Sequence, residues 1–101
     1  MHPLRRGKAV AGLPALVLLV AAGCASVPYQ EMSDARQAIE SAQPVVADEP
    51  GPRARVDRAR ELLDRAESHL RVGEYAMARR TAERARAIAI DAREAAEFDN
   101  E

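Results

Sequence analysis

The chain has a single cysteine, Cys24, a single lysine, Lys8, and no tryptophan; its aromatics are Tyr29, Tyr75 and Phe98 alone. One cysteine excludes an intrachain disulfide framework and a cysteine-based metal centre. Three scattered aromatics cannot form a stacking platform for bases or sugars. A formal net charge of -1 shows no excess of cations, which argues against nucleic acid as a partner. Beyond Cys24, proline and glycine occur only at Pro28, within the stretch Pro44 to Pro52, and at Gly73, so breaks in helical structure are few and well separated. The longest apolar run, Ala9 to Val20, is interrupted by Pro14 and falls short of the about 20 apolar residues that a membrane span needs.

That run belongs to a different pattern. Arg5, Arg6 and Lys8 precede it, and Ala21-Ala22-Gly23-Cys24 closes it. A positive start, a short apolar core and small residues before cysteine are the layout of a bacterial lipoprotein signal. Residues 1–23 are expected to be cleaved. The Cys24 thiol is then the nucleophile that takes a diacylglyceryl group, and the new N-terminus accepts a third chain. Ala21 departs from the usual box, where leucine is commoner. One acyl chain binds a bilayer only reversibly, whereas two or three hold a protein without a transmembrane helix. Ala25 and Ser26 follow the cysteine rather than an aspartate. By similarity to the sorting rule of Gram-negative lipoproteins, this points to the outer membrane, facing the periplasm.

Removal of residues 1–23 leaves about 80 residues, one small domain, with 24–27 as lipidated N-terminus and tether. It also removes every lysine, so arginine is the only strong cation left and the domain is more acidic than the full chain. Alanine, glutamate and arginine dominate, and they form helices readily. The breaks divide residues 28–98 into three helices, about 28–43, 52–72 and 74–98, with the stretch from Pro44 to Gly51 outside any helix. Each helix carries apolar residues at alternating steps of three and four. They are Met32, Ala35, Ile39 and Ala42; then Val56, Ala59, Leu63, Ala66 and Leu70; then Ala78, Ala82, Ala85, Ala89, Ala92 and Ala96. Such seams predict an all-α fold, a long antiparallel hairpin with one N-terminal helix laid alongside. An all-alanine seam lets backbones approach closely and leaves room for the leucines of the middle helix. Ion pairs within helices are expected among Asp57, Glu61 and Arg65, and at Glu67–Arg71, Arg79–Glu83 and Arg93–Glu97.

Nothing in the pattern points to catalysis or to a cofactor. His69 is the only histidine after Cys24, with no second ligand four residues away. Serines 26, 33, 41 and 68 have no histidine placed as base by any motif. Arginines crowd the second and third helices and could grip anionic groups bidentately, Arg79 and Arg80 first among them. The acids interleaved with them also fit a solvated, self-paired face.

The order Gly73-Glu74-Tyr75-Ala76-Met77-Ala78, with Ala82 and Ala85 following, resembles the middle of one tetratricopeptide repeat; such arrays need about three copies to form a peptide groove. Met32 to Ile39, a Pro-rich turn, Ala59-Arg60-Glu61-Leu62-Leu63-Asp64-Arg65-Ala66 and the Gly73 segment also occur in order behind Gly23-Cys24-Ala25-Ser26. Together they resemble the small alanine-rich lipoproteins of domain-of-unknown-function family 4398. Some of those proteins carry a peptidoglycan-binding domain further on, which is not expected in this sequence. The resemblance implies a helical lipoprotein module and no established activity. The expectation is a non-enzymatic structural or adaptor module of the outer membrane, held by the Cys24 acyl chains, with envelope proteins or further copies of itself as partners. The alternative is a binding module for peptides or for anionic polymers such as peptidoglycan and lipopolysaccharide.

Overall fold

The computed structural model describes residues 26–99. The expected signal at 1–23, the acylation site Cys24 and the first tether residue Ala25 lie outside the described residues. Three helices follow in order, α1 (Tyr29–Val46), α2 (Pro50–Arg71) and α3 (Tyr75–Asp99). They form a small all-α bundle in which successive helices run antiparallel, so α1 and α3 are parallel to each other. Arg36 of α1 pairs with Glu67 of α2 at 3.3 Å, and the Gln43 amide faces the Arg60 guanidinium. Toward α3, Glu31 lies 3.7 Å from Arg79.

The seams read from the sequence are the buried ones. Ala35, Ala42, Ala59, Ala66 and the six seam alanines of α3 are fully buried. Ten of the sixteen buried aliphatic residues among those described are alanine, so the core requires the helix backbones to approach closely. The larger side chains are Met32, Ile39, Val46, Val56, Leu62 and Leu63. Leu62 stands beside the expected stripe and widens it, whereas Leu70 is only partly buried.

Two boundaries differ from expectation. α1 passes through Pro44 and ends at Val46, three residues beyond Gln43. Pro44 sits exposed on the outer face, where its missing N–H costs one backbone bond in the last turn. Val46, 2% exposed, gains core burial from that last turn. α2 begins at Pro50 rather than Pro52. Prolines are tolerated in a first turn because the N–H groups they lack have no partner there anyway. The connection is therefore only Ala47 to Glu49, closed by Glu49 N–H donating to Val46 O at 3.0 Å.

The α2–α3 turn is a Schellman closure. Glu74 N–H donates to His69 O at 2.9 Å and Gly73 N–H to Leu70 O at 3.1 Å, with Gly73 at φ +82°. A side chain at that φ is strained, which is why glycine stands there.

Candidate functional site

Two places gather charged side chains around the turn end of the bundle. In the first, Arg79 reaches back across the start of α1. Its Nη2 donates to the Ser26 carbonyl at 2.9 Å and approaches Ser26 Oγ at 3.4 Å, while Nε lies 3.7 Å from Glu31 Oε1. Arg79 sits in the first turn or so of α3, and the parallel run of α1 and α3 brings Ser26 beside it. Pro28 next to this segment is fully buried, and its carbonyl accepts from Met32 N–H at 3.2 Å. The chain entering α1 is thus tied down by one guanidinium and one buried proline. Arg79 is therefore spent on the protein itself, and the expected Arg79–Glu83 pair is replaced by the contact with Glu31.

The second place is a shallow groove of about 440 Å³ between α2 and α3, lined by Leu62, Arg65, His69, Met77, Arg80, Thr81 and Arg84. Antiparallel packing about Gly73 sets Arg65 opposite Arg80 and Arg84. None of the lining residues is acidic. Three other grooves among the described residues each include a carboxylate, Asp34 beside Arg86, Glu94 and Glu97 beside Arg93, and Asp91 beside Arg55 and Arg58. Among the described residues, Arg65, Arg80 and Arg84 have no carboxylate within 4.0 Å; the Arg80 guanidinium donates to the Met77 sulfur, at 3.4 Å. Elsewhere Arg58 pairs with Glu61, Arg60 with Asp57 and Arg93 with Glu97, while Arg53, Arg55, Arg71 and Arg86 likewise have no carboxylate within 4.0 Å among the described residues. Of the expected pairs only Arg93–Glu97 forms among the described residues; Glu67 turns to Arg36 on the neighbouring helix.

The two arginines singled out in the sequence are therefore separated. Arg80 faces the groove, and Arg79 faces Ser26. Arg65 and Arg84 were not singled out, although folding the chain about Gly73 brings them level with Arg80. His69 Nδ1 lies 3.1 Å from Glu74 Oε1 and staples the turn. Ser41 and Ser68 hydroxyls donate to backbone carbonyls one turn back. Among the described residues no three of His, Cys, Asp and Glu gather to hold a metal, and no helix is long and apolar enough to cross a membrane. No family model, curated protein or solved structure matches the chain.

Proposed function

We propose that this protein is a non-enzymatic lipoprotein of the small alanine-rich kind resembling domain-of-unknown-function family 4398. It is held on the periplasmic face of the outer membrane by acyl chains on Cys24, and its helical bundle is a structural or adaptor module. The observation that carries this reading is the order Arg5, Arg6, Lys8, apolar run, Ala21-Ala22-Gly23-Cys24. The tie between Ser26 and Arg79 supports it, because a tether fixed to the bundle transmits the position of the anchor to the whole module. Cells treated with globomycin, or carrying Cys24→Ala, are expected to accumulate an uncleaved precursor. Sucrose-gradient fractionation is expected to place the wild-type protein with outer-membrane markers. A soluble protein processed at another residue sinks the anchor.

A second reading, favoured by the acid-free groove, is a binding module for anionic envelope polymers or acidic peptides. Three guanidinium forks converging on one groove suit phosphate or carboxylate oxygens. Pulldown on peptidoglycan sacculi and on lipopolysaccharide separates the two readings: retention lost in Arg65→Ala/Arg80→Ala favours binding, and retention unchanged rejects the groove.

A further inference from the structure

We propose that the turn end of the bundle, bearing Tyr29, Val72 and Met77, rests on the bilayer surface that holds the Cys24 acyl chains. This rests on the lipid-anchor reading and adds to it an orientation and a contact surface. α1 and α3 begin at the end where α2 finishes, so the first residue of α1, the residue before Gly73 and the first turn of α3 share one end. Tyr29 and Val72 are 71% exposed and Met77 is 42% exposed. The fourth large apolar residue left in solvent among those described, Phe98, stands at the opposite end.

The occupant of this cap follows from the tether. Consecutive Cα atoms are about 3.8 Å apart, so Cys24 lies within about 8 Å of Ser26 whatever course the chain takes. Ser26 is bound to Arg79 at the same end of the bundle. Acyl chains on Cys24 therefore enter the bilayer beside Tyr29, Val72 and Met77 and not beside Phe98. Charge agrees with this placement. Glu31 Oε1 lies 3.7 Å from Arg79 Nε, and Glu74 Oε1 lies 3.1 Å from His69 Nδ1. Arg71 and Arg80 have no carboxylate within 4.0 Å among the described residues; Arg71 donates only to Ser68 Oγ, at 3.0 Å. Guanidinium groups suit lipid phosphates, and tyrosine suits the boundary between headgroup and acyl chain. A phospholipid surface thus meets apolar side chains and unpaired cations together.

The chain has no tryptophan, so a single introduced one reports its own surroundings. Full-length lipidated protein carrying Val72→Trp or Phe98→Trp is reconstituted into vesicles of phosphatidylethanolamine and phosphatidylglycerol, some brominated near the glycerol. Acylation is checked by mass spectrometry and attachment by flotation. Several-fold stronger bromine quenching of Val72→Trp than of Phe98→Trp is expected. Equal quenching in protein that floats overturns the orientation and leaves the anchor standing. Blue-shifted, unquenched Val72→Trp emission in floating protein assigns the cap to a second copy or another protein and also overturns it. Unacylated protein that does not float removes the anchor reading and the orientation with it.

Discussion

The Arg79 guanidinium donates to the Ser26 carbonyl at 2.9 Å across 53 positions of sequence, joining the chain that enters α1 to the start of α3. One charged donor on a backbone acceptor, partly shielded from solvent, contributes about 1 kcal/mol. Arg79→Ala is expected to lose about that much stability and to release Ser26. Arg79→Lys retains only part of the contact, since an ammonium cannot span both Ser26 and Glu31. Amide hydrogen exchange at Met32, whose N–H donates to Pro28 O, is the sensitive readout. Protection at Met32 left unchanged by Arg79→Ala would mean that Pro28 burial alone holds the segment.

The turn offers a cleaner backbone test. A Cβ at Gly73 would meet no atom within 4 Å, so any loss on substitution comes from its φ of +82° and not from a clash. Gly73→Ala is expected to destabilise by about 1–2 kcal/mol, and Gly73→Asn by less, because asparagine enters the left-handed region more readily. Denaturant melts compare the two. Equal stability of Gly73→Ala and wild type would show that the Schellman closure is not kept in solution.

Pro44 tests the end of α1. Its ring leaves the Glu40 carbonyl without the usual donor, yet the helix continues to Val46. Pro44→Ala restores that donor on an exposed face. The gain is about 1 kcal/mol, below the roughly 3 kcal/mol of a helix interior because Pro44 lies in the last turn. A thermal melt by circular dichroism measures it, and no gain would place the helix end at Gln43.

Apolar spacing together with the proline and glycine breaks carried the bundle's architecture. Apolar residues at alternating steps of three and four, most of them alanine, marked nearly every core position, because a helix surface repeats at that interval whatever its partner. Pro44 was misleading for a local reason. A proline rule weighs the lost hydrogen bond and cannot weigh the burial of Val46 two residues on. The charged surface was legible only in part. Pairs within one helix follow from spacing, as at Arg93–Glu97, whereas Arg36–Glu67 and Arg79–Ser26 depend on how helices lie together. Arg79 and Arg80 are adjacent in sequence but about 100° apart around the helix, so one is drawn to the tether and the other to the groove.

The alanine seam of α3 is the feature on which the close-packed hairpin depends. Ala78, Ala82, Ala85, Ala89, Ala92 and Ala96 have no solvent exposure, and Ala85 stands midway along the seam, in a core built mostly of methyl groups. Three further carbons at Ala85 cannot be accommodated without moving a helix. Ala85→Leu is therefore expected to cost about 1–3 kcal/mol, the usual range for overpacking. Arg86→Leu places the same leucine side chain one residue on, at an exposed position, and should shift stability by no more than about 0.5 kcal/mol. Ala→Leu and Arg→Leu differ in helix propensity by only about a few tenths of a kcal/mol, too little to account for the expected difference. The measurement is the midpoint of thermal unfolding followed by circular dichroism. A lower midpoint for Ala85→Leu alone supports helices in close contact along the seam. Equal midpoints would mean that α3 tolerates bulk on either face, and a bundle held together through alanine would be the wrong description of this protein.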